Sequence, residues 1–347
     1  MSIIGYVFHP SYLLHDTGYG HPESAARLES VMDYLKSSGL LDRLVKVEAH
    51  RATGDEISLV HIPIYKEKIN LICSSGGGSL DADTILSTES CNAAEYAAGG
   101  AVTAVEAVMG GNVGKCFGLV RPPGHHAFAD RGSGFCIYNN IAIAARFARQ
   151  KYGLTRIAIL DFDVHHGNGT QSTFNNDPAT MYVSVHQSPH YPGSGSIDDI
   201  GIGGASGTKV NIPLPAGSGN AEYTSIYNDI VMPAVRRFKP ELILVSAGYD
   251  AHRDDPLAGM KLTESGYAAI ASRICILADE LCSGKAVFCL EGGYNLDALA
   301  RSVAVTFRVL LGEPAELEMA MEPLEYNFGA PDISGIIAKL KRIHHIE

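Results

Sequence analysis

Six apolar runs punctuate this chain, at residues 3–8, 117–120, 157–163, 181–185, 242–246 and 286–290. Several are apolar throughout instead of alternating with polar residues. That is the pattern of strands covered on both faces, as in a parallel sheet. The segments between them have helical periodicity. The clearest spans 221–238, where Tyr223, Ile226, Tyr227, Ile230, Val231, Ala234, Val235 and Phe238 recur at i, i+3, i+4 and i+7 before Pro240 stops the helix. Further helices are predicted at 21–36, 90–109, 139–152, 263–282 and 333–343. Strand–helix alternation implies an α/β fold: a single domain with an open, mainly parallel β-sheet and helices on both faces. An apolar fraction of 46% in 347 residues is ample for such a core.

Open parallel sheets bind ligands beyond the carboxyl ends of their strands, and polar residues crowd there in this sequence. Asp161-Phe162-Asp163-Val164-His165-His166-Gly167-Asn168-Gly169 closes one apolar run. On an extended chain Asp161, Asp163 and His165 share a side. Two carboxylates and an imidazole held together in a core are costly unless a cation compensates, so the run reads as a metal site. Asp250 ends a second run, Leu242 to Gly248, and reads either as a turn cap or as a third ligand. An Asp, His, Asp set with open positions suits a catalytic zinc. A third run leads into Arg121-Pro122-Pro123-Gly124-His125-His126, a rigid loop presenting two imidazoles suited to acid–base work. A fourth ends in Glu291-Gly292-Gly293-Tyr294, where Tyr294 can donate to a developing oxyanion.

Composition removes several other classes. Lys plus Arg number 27 against 38 Asp plus Glu, and the net charge of −11 is unsuited to nucleic acid. The longest weakly polar stretch, 92–111, contains Glu95 and Glu106, so no membrane span is expected. The first eight residues carry no basic flank and are not expected to be a signal peptide. Seven cysteines with no CxxC pair argue against a disulfide scaffold or a cysteine zinc ribbon, and a reducing cytoplasm is expected. Beyond Gly312 the sequence turns acidic and carries Pro314, Pro323 and Pro331. We read 1–312 as the catalytic domain and 313–347 as an extension packed on it. His344-His345 is read as a solvated terminus, not a metal site.

The motifs HPESAAR (21–27), RPPGHHA (121–127), GFCIYNN (134–140), LDFDVHHGNGTQ (160–171), VSVHQSPHYPGSG (183–195), SAGYDAHRDDPLAG (246–259) and LEGGYN (290–295) together resemble those of the zinc-dependent histone deacetylases, within the arginase–deacetylase fold. The resemblance runs in one collinear order to about residue 312. GNGTQ, PGSG and HRDDPL resemble the class II side of the family and bacterial deacetylase-like amidohydrolases. Ala25 departs from an HPExPxR pattern, which should only adjust a loop. The resemblance implies that Asp163, His165 and Asp250 bind one zinc ion. It implies His126 as general base, His125 as its partner near the leaving amine, and Asp161 and Asn168 as their orienting groups. Tyr294 is implied as the carbonyl-polarising donor. Phe135 and Tyr191 would wall an acyl-lysine tunnel, with the Gly134 carbonyl receiving the substrate amide N–H. Ser184 and Val185, with Asp161, Asp163 and His165, match a structural potassium site.

The expected substrate is an acetylated lysine peptide or protein, or a small acetylamine. Polyamine-directed relatives place an acidic residue at the tunnel rim, where this chain has Leu257. They also insert a first loop that is short here. Acetyl-lysine is therefore the favoured substrate, with acetylpolyamines second, although Asp81 and Asp83 are acidic rim candidates. An arginase-like reading needs two metals and more carboxylates than these motifs supply. A non-catalytic acyl-lysine reader is opposed by the complete set of ligands, histidines and tyrosine.

Overall fold

The computed structural model describes residues 3–314 and 329–347; Pro323 and most of the acidic stretch lie outside them. Eight strands form one sheet: β1 (Ile4–Val7), β2 (Val45–Val47), β5 (Lys115–Gly118), β6 (Ile157–Asp161), β7 (Thr180–Gln187), β8 (Lys209–Leu214), β9 (Leu242–Ala247) and β10 (Ala286–Leu290). β3 (Gly78–Ser79) and β4 (Ile85–Leu86) make a separate antiparallel hairpin. The sheet order is β2-β1-β5-β10-β9-β6-β7-β8, and every neighbouring pair is parallel. The central strands β5, β10, β9 and β6 are buried at every residue. Helices therefore cover both faces, as the apolar runs require.

The helices Ser90–Met109, Asn140–Tyr152 and Glu264–Leu281 lie where the periodicity places them. Asn139 caps the second by accepting from Ala142 N–H at 3.0 Å. The 221–238 segment is helical from Asn220 to Phe238, with a π turn at Tyr227–Val231. Pro233 has no N–H to give, and the hydrogen-bond ladder widens just before it. The helix expected at 21–36 begins only at Ala26. The helix Leu296–Leu310 and the strands β2 and β8 lie outside the sequence expectation. No helix among the described residues is long and apolar enough to cross a membrane.

The C-terminal helix Ser334–His344 places Ile333 and Leu340 in the main hydrophobic core. His344 is buried, which corrects its reading as a solvated residue: it ends the C-terminal helix with its carbonyl bound by Arg237. His345 is exposed.

Candidate active site

β5, β10, β9 and β6 are consecutive neighbours in the sheet, and the four motif loops leave their carboxyl ends. The register aligns Gly118 with Cys289, Cys289 with Ser246, and Ser246 with Asp161. Residues scattered from 121 to 295 in sequence thus reach one place.

The strand preceding the Asp-His cluster stops at Asp161, earlier than the apolar run suggests. The aspartates themselves end it. Asp161 Oδ1 accepts from Asp163 N–H at 3.2 Å, and Asp163 Oδ1 accepts from His165 N–H at 2.9 Å. Such local side-chain bonds compete with the ladder and turn the chain. The turn brings donor atoms of Asp163, His165 and Asp250 within 4.8 Å of one another, all buried. His165 Nδ1 is 3.0 Å from Asp163 Oδ1 and 3.2 Å from Asp250 Oδ2. Two donors on one tetrahedral zinc would stand about 3.3 Å apart. Asp250 Oδ2 has no hydrogen-bond partner, although it is buried. An unsatisfied carboxylate oxygen facing a second carboxylate and an imidazole is what a cation would relieve, so the donor set fits a divalent metal.

Electrostatics reflect the crowding. Burial opposes charge on His165, but the nearby carboxylates of Asp163 and Asp250 outweigh this and raise it to about 10. Burial also opposes ionisation of Asp163, yet His125 and His165 hold it below the usual carboxylate range. Burial and then Asp163 push Asp250 up. Glycines let the backbone come this close. A Cβ on Gly292 would run into Asp250 Oδ2 and Asp163 Oδ2, and one on Gly248 into the Asp163 carboxylate.

The two loop histidines differ in their partners. His125 Nδ1 meets Asp161 Oδ2 at 3.0 Å, and Tyr182 donates to the same oxygen at 2.8 Å. His126 Nδ1 meets Asn168 Oδ1 at 2.9 Å. Gly169 N–H also donates to that Asn168 oxygen, at 3.0 Å, which fixes the amide's orientation. His126 Nδ1 is therefore the proton-bearing nitrogen, and its Nε2 keeps a free lone pair. Burial resists charge on His125, but Asp163, Asp161 and Glu291 raise it to about 10. Burial, followed by the positive charge of His125 and His165, pushes His126 well down. One imidazole is thus poised as an acid and its neighbour as a base.

Aromatic rings surround this pair. Tyr191 stands edge-on to His126, with centroids 5.1 Å apart. Phe135 stands edge-on to Tyr294 at 5.8 Å and to His21 at 4.8 Å. A Cβ on Gly134 would press on the His126 ring and on Tyr191 Oη at 2.9 Å, so only glycine fits between them. Leu257 is half-buried, and its N–H donates to Asp255 at 3.0 Å. Ser184 is register-paired with Asp161 and contacts His186 Nδ1 at 2.9 Å; Val185 follows it, buried.

Several buried charges around the site carry no role in the sequence reading. Glu23 accepts from Arg121 at 2.6 Å and Arg27 at 3.2 Å. Arg27 in turn donates to the carbonyls of Gly293 (2.6 Å) and Glu291 (2.5 Å), and its guanidinium lies 5.0 Å from the Tyr294 ring centre. Asp255 Oδ2 accepts from Tyr294 N–H at 2.7 Å and Asn295 N–H at 3.3 Å. Glu291 accepts from Gly124 N–H (2.7 Å) and His125 N–H (3.1 Å), tying the histidine loop to the tyrosine loop. The available signal was local: Glu23 and Arg27 sit inside one motif at i, i+4, and Asp255 and Glu291 adjoin glycine- or proline-bearing loops.

Residues 21–310 match the histone deacetylase domain. "Histone deacetylase 10, chloroplastic" of Oryza sativa subsp. japonica is 40% identical over 94% of this chain and 78% of that protein. "Polyamine deacetylase HDAC10" of Homo sapiens is 38% identical over 87% of this chain and 46% of its own length. A crystal structure of the HDA15 HD domain superposes with a TM-score of 0.88 and 32% identity, covering 99% of this chain and 94% of that one. The domain match, the relatives and the fold agree: the chain belongs to the histone deacetylase family, hydrolases that cleave amides.

Proposed function

We propose that this deacetylase is zinc-dependent and removes acetyl or another short acyl group from lysine side chains in peptides or proteins. The observation that carries the reading is the buried convergence of Asp163, His165 and Asp250 beside His126, whose Nε2 lone pair is free. A zinc ion held by those three residues supplies Lewis acidity to the substrate carbonyl and to a water. The remaining roles belong to this chain's own groups. Asn168 holds the His126 tautomer, so that Nε2 takes a proton from the attacking water. His125, anchored on Asp161, returns a proton to the departing amine. The Tyr294 hydroxyl donates to the carbonyl oxygen. Phe135 and Tyr191 flank the lysine stem, and the Gly134 carbonyl receives the amide N–H. The products are a carboxylate and a free amine.

The Asp161, Asp163 and His165 backbone, with Ser184 and Val185, is assigned to a structural potassium ion, supported by the register pairing of Asp161 with Ser184. We take 1–312 as the catalytic unit and 313–347 as an extension. All seven cysteines are free, which fits a reducing compartment such as the cytoplasm.

The lysine preference rests on Leu257. An acetylpolyamine carries a second cation, and an apolar rim offers it no Coulombic partner. Asp81 is engaged in its own turn, accepting from Thr84 N–H at 2.8 Å, and Asp83 is exposed, so screening limits both. The sequence similarity to a polyamine deacetylase keeps acetylpolyamines as the second reading. The test is kcat/KM of the zinc-loaded protein on an acetyl-lysine peptide, a longer acyl-lysine peptide and N-acetylputrescine. Acetyl-lysine should be preferred. A tenfold preference for acetylputrescine overturns the substrate assignment, and no turnover on any of them overturns the whole reading.

A further inference from the structure

Among the described residues Tyr19 is the most exposed large apolar side chain, standing fully in solvent at 110% relative exposure. Scattered apolar residues on a surface are ordinary; the setting of this one is not. A built turn presents it. Gly18 and Gly20, on either side, hold φ of +90° and +78°, the left-handed region that glycine favours. Asp16 Oδ1 accepts from Gly18 N–H at 2.9 Å, and Asp16 N–H donates to Ser87 Oγ at 3.2 Å. The buried Thr17 hydroxyl donates to the Glu23 carbonyl at 2.5 Å. His21 N–H donates to the Gly18 carbonyl at 3.4 Å. The backbone is thus pinned on both sides of Tyr19 while the ring is left in water.

The turn stands at the mouth of the aromatic tunnel. His21 Nε2 lies 3.0 Å from the Asp83 carbonyl oxygen, and the His21 ring meets Phe135 edge-on at 4.8 Å. Phe135 in turn meets Tyr294. Two residues of chain reach at most about 7 Å, which keeps Tyr19 beside that wall. The charges here have one sign. Residues 14–25 and 75–90, the two loops that meet through His21 and Asp83, contain Asp16, Glu23, Asp81, Asp83 and Glu89 and no lysine or arginine. Glu23 is paired inside the fold, whereas Asp16 and Asp83 are exposed.

We propose that Tyr19 is a specificity-determining residue that receives the guanidinium of an arginine flanking the acyl-lysine in a peptide substrate. The proposal rests on the acyl-lysine reading above. A planar guanidinium stacks on the ring face. Asp16 and Asp83 add attraction for that cation and repel an acidic residue in its place. N-Acetylputrescine draws nothing from this surface. Its ammonium sits where acetyl-lysine has its Cα, so it reaches no further than the mouth.

The experiment measures kcat and KM of the zinc-loaded full-length protein on acetyl-lysine peptides that differ at one position. Arginine, alanine or glutamate is placed one or two residues to either side of the acyl-lysine. N-Acetyl-lysine amide, which has no neighbours, is the reference substrate. At one or more of these positions arginine should exceed alanine in kcat/KM by about two- to fivefold, with the gain in KM. Glutamate should fall below alanine. Tyr19→Ala should remove most of the arginine preference, and Tyr19→Phe, which keeps the ring, should retain it. Asp16→Asn keeps the acceptor for Gly18 N–H and should lift the glutamate peptide toward alanine. Turnover of N-acetyl-lysine amide with equal kcat/KM for arginine and alanine peptides at every position overturns the proposal alone, as does an arginine preference that Tyr19→Ala leaves intact. No turnover of the amide or of any peptide overturns the acyl-lysine reading and the proposal with it.

Discussion

Replacing Tyr294 by Phe removes one hydroxyl and leaves its supports in place. The ring is set by Phe135, edge-on at 81°, and by the Arg27 guanidinium 5.0 Å from its centre. Its backbone N–H is held by Asp255. None of these contacts uses the hydroxyl oxygen, so the variant deletes a donor without creating a cavity. Burial, and then the net effect of the surrounding charges, keeps the phenol well above its ordinary titration range. It is therefore a protonated donor at any working pH. One oxyanion donor is worth about 2.7–4 kcal/mol, or ~10²–10³ in kcat. Tyr294 is only half-buried, and water can partly substitute for it, which favours the lower end: a loss of about 100-fold in kcat.

The assay is steady-state hydrolysis of an acetyl-lysine peptide, with zinc content measured on the same samples. Metal content and hydroxamate affinity through the metal should be retained. A trifluoroacetyl-lysine substrate should lose less, because its carbonyl needs less polarisation. If kcat on the acetyl substrate stays within about threefold while zinc is unchanged, Tyr294 is not the electrophile. If zinc is lost as well, the tyrosine loop is structural and the role falls.

Asp255→Asn should act through the same loop. One amide oxygen cannot serve both Leu257 N–H and the Tyr294–Asn295 pair, so kcat/KM should fall by about 1.5–3 kcal/mol, roughly 10- to 100-fold, with zinc retained; unchanged kinetics would remove Asp255 as a positioning residue. His126→Ala should cost more activity than His125→Ala, because only His126 presents a free Nε2, and both should still bind a hydroxamate; near-wild-type turnover in His126→Ala would refute the proton-transfer role. His61 is buried, accepts from Asn139 N–H at 2.9 Å and is pushed down to about 4, chiefly by burial. Its folded value lies below the unfolded one, so the stability it gives is complete above pH ~6.5 and is lost toward pH 4 at up to about 1.4 kcal/mol per unit. Denaturant titrations at pH 5 and 7 should show a smaller difference in His61→Gln, and an equal difference would exclude His61 from the acid response.

The central strands were legible because burial on both faces leaves a continuous apolar run. The edge strands were not. Val45–Val47 has three residues, none of them buried, and Lys209–Leu214 reads Lys-Val-Asn-Ile-Pro-Leu. Pro213 is tolerated there because β8 is an edge. The helix Leu296–Leu310 is rich in Ala and Val and mostly buried, so its apolar residues also suit a buried strand. The residues of the candidate metal site were legible because each ends an apolar run or sits in a glycine-bearing turn. The charges supporting them were not, because charge in a sequence reads as surface. Arg27 meets the Gly293 carbonyl 266 residues away, and Arg121 meets Glu23 across 98. Only the folded chain shows that these side chains are paired inside.

That buried charge also bears on how much the fold would depend on the proposed metal. Six carboxylates surround the site — Glu23, Asp161, Asp163, Asp250, Asp255 and Glu291 — while only two arginines, Arg27 and Arg121, are permanently cationic among them. His125 and His165 can each add one positive charge, which still leaves the cluster negative. Burial already pushes Glu291 up to about 7 and Asp255 up to about 6, so the fold responds to the surplus by favouring protonation. A divalent ion beside Asp163 and Asp250 would take the place of the His165 proton, since a ligating imidazole is neutral, and would bring the cluster to within one charge of neutrality. At a free zinc concentration 100 times its dissociation constant, binding stabilises the folded state by about 2.7 kcal/mol. For a chain of this length that raises Tm by about 4 °C. Chelation should reverse the shift and re-addition of zinc should restore it, read by differential scanning fluorimetry. Asp250→Asn keeps the shape but removes one ligand charge, so it should lose the zinc-dependent shift while remaining folded without zinc. Equal Tm values for wild type with zinc and with chelator would show that the carboxylate surplus is settled by protons alone.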